Sequence, residues 1–338
     1  MGKAARKPKK RLNYVRGYFV RPKGAAKADE LTPNNGLAGG CGVIYKNSGK
    51  PCRSKSGTSD VPIGRLTLSA PAPLTRQHLF AGLLILGCIN GVSSRIIEEI
   101  HRVGWLDALV ATFDIGAIVW ISCCAGVFLV LQDASESLAP YDIIVAIALL
   151  VLVILPISQL SWIAVAALSA YALATSNTRT TRQGATILLA TTVPMLWSRL
   201  LFKVFANVIL NMDASLVSWL LGTPRAGNMV DFADGSSQLV ILAPCSSLAN
   251  MSLAILCWVT VAQLVGHKRA LSDAFWCALA CVSVVVINVS RMAIMGMSET
   301  LYARVHSPFG NQVVSLLITL VTVAICLLGV RRELFRRV

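Results

Sequence analysis

Eight apolar runs divide the chain. They cover about residues 77–94, 112–131, 141–157, 160–175, 185–206, 245–265, 274–297 and 311–330. Each approaches the ~20 residues a helix needs to cross a bilayer. Several are short, and the fifth is interrupted by Arg199 and Lys203, four residues apart on one helical face. Their long stems suit snorkelling to the interface. The pattern predicts an all-α polytopic membrane protein, a bundle of about eight transmembrane helices. One long loop, Asn211 to Pro244, separates the fifth run from the sixth. Within it ASLVSWLL predicts a short interfacial helix with Trp219 at headgroup level. QLVILAP, after the turn-prone DGSS, predicts a brief extended stretch.

Composition agrees with this reading. The chain is 55% hydrophobic and 14% charged, with a mean hydropathy of +0.66, whereas soluble domains carry about 25% charged residues. The net charge of +15 is concentrated at the start: residues 1–77 hold 16 Lys/Arg against 3 Asp/Glu, leaving +2 for the rest. Residues 1–76 have no apolar periodicity and read as a basic, disordered cytoplasmic extension. No apolar segment follows these basic residues closely, unlike a signal peptide. A basic arm can meet anionic lipid headgroups or nucleic acid. The expectation is a solvated arm that helps orient the first helix, with membrane lipid as partner and no nucleic acid. The transmembrane domain spans 77–330, and 331–338 is a basic cytoplasmic tail.

Lys and Arg in the loops set the orientation. The compact turns SNTRTTRQG and GHKRALSD and the terminal RRELFRRV place both termini in the cytoplasm. The loop QDASESLAPYD has no Lys or Arg and argues neither way. The long loop then lies outside.

This orientation brings three polar residues to the outer face. Cys245, in PCSSL, opens the sixth run. Arg291, in INVSRMAIMG, lies about six residues from the outer end of the seventh, roughly 9 Å deep. His306, in HSPFG, precedes the eighth. Pro244 suits the first position of a helix, and Ser246 and Ser247 can serve the free amides of its first turn. Cys245 then feels the positive end of the helix dipole, which favours the nucleophilic thiolate. The same amides can receive the oxyanion of a tetrahedral intermediate. An arginine at the depth of Arg291 costs about 2–3 kcal/mol by insertion scales and calls for a partner or a function; Asn288, one turn earlier, can hold it. A histidine beside a cysteine suits general base and acid chemistry near neutral pH. Pro308 and Gly310 suggest a rigid turn carrying the ring.

These segments, in this order and spacing, resemble the exosortase/archaeosortase family of membrane-embedded cysteine transpeptidases. The matching residues are Cys245 with Ser246 and Ser247 after it, Asn288-x-x-Arg291 near the end of the next helix, and His306 with Gly310 four residues on. The resemblance covers about 77–330, and 211–330 most closely. Two departures stand out: the family often has an acidic residue and alanine just before the cysteine and a glycine soon after, where this chain has Ala243, Pro244 and Ser247, and the basic extension is no part of the family's core. The resemblance implies cleavage of exported proteins that end in a short motif, a transmembrane helix and a basic cluster, as in PEP-CTERM-type signals. It implies catalytic Cys245, Arg291 and His306, supported by Ser246, Ser247 and Asn288, with the site at the periplasmic face of a bacterial inner membrane. It also implies a link to exopolysaccharide machinery.

Nothing in the sequence calls for a cofactor or a metal. Of ten cysteines, Cys88, Cys123, Cys124, Cys257, Cys277, Cys281 and Cys326 lie in apolar runs, where Cys behaves as a small hydrophobe. Cys41 and Cys52 lie in the extension, and no Cys/His cluster has metal-ligand spacing. The Gly-x-Ser-x-Gly, His-Glu-x-x-His and Walker A patterns are absent from the sequence. The rival reading is a transporter or channel in which Arg291 binds an anionic substrate. A third is a scaffold that recruits a partner through its basic tail.

Overall fold

The computed structural model describes residues 74–110, 112–133, 135–268 and 270–331. The expectations placed on residues 1–73, including Cys41 and Cys52, and on 332–338 lie outside the described residues. Helix α1 (Arg76–Val103) is followed by the short α2 (Trp105–Val110), a tight turn over 112–114, and α3 (Ala117–Gln132). Then come α4 (Pro140–Ile154), α5 (Ser158–Thr175) and α6 (Arg179–Thr192). A π turn (Val193–Trp197) joins α6 to α7 (Ser198–Leu221). Three short antiparallel strands, β1 (Arg225–Ala226), β2 (Met229–Asp231) and β3 (Gln238–Val240), pair in the order β1-β2-β3. A 3-10 turn (Ala243–Cys245) leads to α8 (Ser247–Val265), α9 (Ser272–Met295), α10 (Glu299–Val305) and α11 (Pro308–Gly329).

Each of the eight apolar runs contains a helix. Among the described residues, six helical stretches are long and apolar enough to cross a membrane, and α3 and α4 are shorter apolar helices. The chain is an all-α polytopic membrane protein. At 1.5 Å per residue, α3 and α4 reach only about 24 and 22 Å, less than the ~30 Å hydrocarbon core. Helix α4 stops because Leu155 precedes Pro156 and takes an extended conformation (φ −64°, ψ 134°).

The fifth run departs from expectation. The predicted separate interfacial helix ASLVSWLL is the last part of α7, and the stretch Arg179–Leu221 continues through 43 residues. Its bends lie at the π turn, which holds Pro194, and at Phe205 (φ −113°, ψ 21°). Between Phe205 and Gly222 no Gly or Pro interrupts the chain, so the helix persists until Gly222 caps it in the left-handed conformation (φ 70°). Trp219 is exposed on this last part of α7.

Polar contacts tie one end of the bundle together. The buried Arg76 guanidinium donates from Nε to Asp142 (3.1 Å) and from Nη1 to Glu136 (2.7 Å) and the Thr175 carbonyl (3.3 Å). It also stacks over the Phe80 ring at 4.8 Å. Tyr171 donates to Asp142 (2.8 Å), and the Asn177 and Thr178 amides donate to Glu136 (2.7 and 3.1 Å). Burial pushes Glu136 up, but the Arg76 guanidinium and those amides outweigh it and hold its carboxyl below the ordinary value. The loop without cations thus supplies two anions to a cation at the start of α1. Nearby, Arg179 and Gln183 of α6 donate to the carbonyls of Gly266 and Gln263 at the end of α8 (both 3.1 Å).

Between the ends the helices meet on small residues. A Cβ on Gly184 of α6 would lie 2.5 Å from the Gly126 carbonyl of α3, so these two backbones touch. Close approach of this kind replaces the hydrophobic drive that lipid does not supply.

Removing the Arg76 charge leaves the buried Asp142 and half-buried Glu136 carboxylates without their cation. Arg76→Gln is expected to cost about 3–5 kcal/mol, read as a large drop in the thermal transition of the detergent-solubilised protein. A transition within a degree or two of wild type would show that the cluster carries little of the fold.

Candidate functional site

Cys245 lies at the opposite end of the bundle from Arg76, and a small sheet delivers it there. Val230, Phe232, Leu239 and Ile241 are buried against Ala214 and Val217 of α7 and against Val289, Met292 and Met295 of α9. Alternation along β3 points Leu239 inward and leaves Val240 exposed. The sheet is also pinned to α9, because the Ala233 amide donates to the Gly296 carbonyl (2.9 Å). The predicted extended stretch before the cysteine thus contains the edge strand β3, paired antiparallel with β2.

The local geometry around Cys245 differs from expectation. Pro244 does not open the long helix; it lies in the 3-10 turn, and α8 begins at Ser247 with Ser246 as its N-cap. Ser246 is extended (φ −66°, ψ 139°), and its hydroxyl accepts the Leu248 N–H at 3.2 Å. Cys245 lies two residues before the first residue of α8 and is half-buried. Ser247 plays another part than capping: its hydroxyl accepts from Asn288 (3.1 Å), and its amide donates to Asp213 of α7 (3.0 Å). The amides of Cys245 and Ser246 close the 3-10 turn on Leu242 and Ala243 (2.9 and 3.1 Å). Amides 245 to 248 therefore all have intramolecular acceptors, and the expectation that they receive an oxyanion is not met.

Asn288 and Arg291 lie one turn apart on α9. Buried Asn288 does not hold Arg291; it donates to the Cys245 carbonyl at 2.7 Å and so fixes the turn that carries the thiol. Arg291 lies four residues from the end of α9, about 6 Å at the helical rise. One of its terminal nitrogens donates to Asn311 of α11. Its Nε is buried and has no hydrogen-bond partner among the described residues.

His306 caps α10, and its imidazole stacks on Tyr302 with ring centroids 5.2 Å apart and planes 13° off parallel. Its carbonyl accepts from Asn311 (3.3 Å). The turn to α11 is tight: Ser307 caps the helix by accepting the Gly310 amide (3.1 Å), and a Cβ on Gly310 would lie 2.5 Å from the Val305 carbonyl.

The three expected reactive residues share one end of the bundle, linked through neighbours. Asn288 joins α9 to Cys245, and Asn311 joins Arg291 to the backbone of His306. No hydrogen bond or ion pair joins thiol, guanidinium and imidazole directly among the described residues. Two contributors escaped the sequence reading. Asp213 fell in what read as a loop, and only its acidity within an apolar stretch marked it; Asn311 stood unremarked just after the HSPFG motif. Among the described residues no His, Cys, Asp and Glu group has a metal-binding arrangement. The chain matches no protein-family model, no curated protein and no solved structure.

Asn288→Ala leaves the Cys245 carbonyl and the Ser247 hydroxyl without their donor. It is expected to cost about 1–3 kcal/mol and to raise the rate at which Cys245 reacts with a small thiol reagent. Unchanged stability together with unchanged reactivity would mean that this bond does not hold the turn.

Proposed function

We propose that this chain is an exosortase-like cysteine peptidase or transpeptidase that cleaves C-terminal sorting signals of exported proteins. In this reading both termini face the cytoplasm of a bacterium, and the Cys245 end of the bundle faces the periplasm. What supports it is the pair of hydrogen-bonded links at one end of the helices, Asn288 to Cys245 and Arg291 through Asn311 to the His306 backbone, with Asn288 and Arg291 one turn apart on α9. The motif resemblance supplies the reaction class.

The substrate's anchor helix rests beside the bundle with its motif at the mouth of α8. The Cys245 thiolate attacks the scissile carbonyl carbon, and the carbonyl electron pair moves onto oxygen. The backbone amides nearby are occupied, so the oxyanion falls to Arg291, whose Nε–H has no other acceptor among the described residues. Collapse of the intermediate expels the amine of the anchor segment, which takes a proton from the His306 imidazolium. A thioester remains on Sγ. An acceptor amine or water attacks it, gives its proton to His306 and releases the thiolate. Exported proteins with a motif, helix and basic cluster are the partners, together with membrane lipid and exopolysaccharide machinery.

Cys245→Ala and Cys245→Ser are expected to lower processing of such a substrate by several orders of magnitude while the protein still inserts. Arg291→Lys replaces a planar fork with a point charge and is expected to cost about 10²–10³ in rate. Normal trimming of the anchor in the Cys245→Ala strain would end this reading. Orientation is tested separately, with Cys245 as the sole cysteine and a membrane-impermeant thiol reagent on intact spheroplasts. Labelling that requires access from the cytoplasmic side would invert the proposed layout.

A further inference from the structure

Beside the Cys245 turn lies a cavity of about 700 Å³ whose polar lining includes three cations from two helices. Arg95 comes from α1, and Arg199 and Lys203 come from the first two turns of α7. Pro244 and Ser246, the neighbours of Cys245 in sequence, also line it. The volume falls within the range of small-molecule sites. None of the three cations forms a hydrogen bond or an ion pair with another described residue. Arg95 is attracted at longer range by Glu98 and by Asp114, the one carboxylate lining the cavity among the described residues. Burial, and then the charge of Glu99, raise the Asp114 carboxyl from its ordinary value. Glu99 is itself paired with Arg102 at 2.6 Å.

Snorkelling explains one long cation on a helix, but three converging on one cavity concentrate positive charge at a cost that only an anion relieves. The second observation is independent of charge. A groove of about 440 Å³ adjoins the cavity and shares Ser198, Leu248 and Ser252 with it. Its other lining is apolar: Trp197, Leu200, Leu201, Val204 and Phe205 of the α6–α7 stretch face Met251 and Ile255 of α8. Those five residues of the α6–α7 stretch are exposed on a membrane helix, so the groove opens toward lipid. A basic cavity continuous with an apolar, bilayer-facing groove fits an amphipathic molecule with an anionic head.

We propose that this paired cavity and groove is a binding site for one anionic phospholipid, its phosphate between Arg95, Arg199 and Lys203 and an acyl chain along Trp197, Leu201 and Phe205. The assignment does not rest on Cys245 being a nucleophile. An occupied site braces the turn that carries Cys245, because the head contacts the wall formed by Pro244 and Ser246.

The test uses the full chain, delipidated and titrated in detergent with phosphatidylglycerol or phosphatidylcholine of matched chains, with bound lipid counted by native mass spectrometry. The wild type is expected to bind one phosphatidylglycerol at least about tenfold more tightly than phosphatidylcholine. Arg95→Gln/Arg199→Gln/Lys203→Gln is expected to bring that ratio to within about twofold. The charge-keeping Arg95→Lys/Arg199→Lys pair guards against misfolding and is expected to retain the preference. Equal affinity for both lipids in the wild type, or an undiminished preference in the triple Gln variant, would overturn the proposal. Competition distinguishes the sources of phosphate: displacement of the lipid by equimolar glycerol 3-phosphate or inorganic phosphate would assign the site to a soluble anion and refute the lipid. Phosphatidylglycerol brominated on its chains is expected to quench a Trp fluorescence component missing in Trp197→Phe; no such component would remove the groove from the proposal.

Discussion

A helix that begins inside a bundle must dispose of its first amide groups, because lipid offers no water to receive them. The start of α8 meets this constraint with groups from three directions. Ser246 takes the Leu248 amide, Asp213 reaches in from α7 for that of Ser247, and the 3-10 turn closes those of Cys245 and Ser246 on its own carbonyls. Asn288 completes the arrangement from α9 by donating to the Cys245 carbonyl. Each bond draws a different element to the same point, so satisfying one helix end fixes α7, α8 and α9 against one another. The position of the Cys245 thiol follows from that closure. Its surroundings follow as well: a carboxylate already faces the helix end and offsets part of the dipole that would favour a second negative charge there.

The other end of the bundle is held by a different kind of polar contact. Arg76 and its two carboxylates join the starts of α1 and α4 to the loop after α5, where Glu136 also takes the Asn177 and Thr178 amides. Buried ion pairs add little net stability against an apolar alternative, but an incomplete one is costly, so the cluster specifies which ends meet. Between the two polar ends the packing is apolar and close, as at Gly126 and Gly184, or joined by single hydroxyl contacts such as Ser122 with Thr260 at 2.8 Å. Specificity resides at the ends, and density in the middle.

This division explains what the sequence disclosed. The eight helices were legible because each apolar run is long compared with a turn, and hydropathy needs no knowledge of partners. The continuation of α7 to Leu221 was not, because residues 207–221 mix Asn211 and Asp213 with apolar positions, and a polar residue inside a helix looks like a loop until its partner is known. Asp213, Glu136 and Asp142 act through residues 34, 60 and 66 positions away, separations that no periodicity reports. The motifs around Cys245, Arg291 and His306 stood out as residue types at helix ends, and the structure brings those ends together. The exact start of α8 was missed by two residues because a proline suits a 3-10 turn as well as an α-helix.

The contrast between two inward-facing arginines bears on what the Cys245 end can do. Arg76 is matched by two carboxylates, so its charge is neutralised and its donors are taken. Arg291 has a neutral amide as its partner, and its Nε lies buried with no acceptor among the described residues. Asn311 orients the guanidinium without cancelling its charge. A membrane protein that holds a cation in this way keeps an electrostatic cost that a carboxylate at position 311 would remove. The cost is offset only when an anion arrives. An oxyanion formed at a carbonyl beside Cys245 is such an anion, and so is a substrate carboxylate in the transporter reading. The two differ in whether the thiol is needed, which is why the sulfur rather than the arginine separates them.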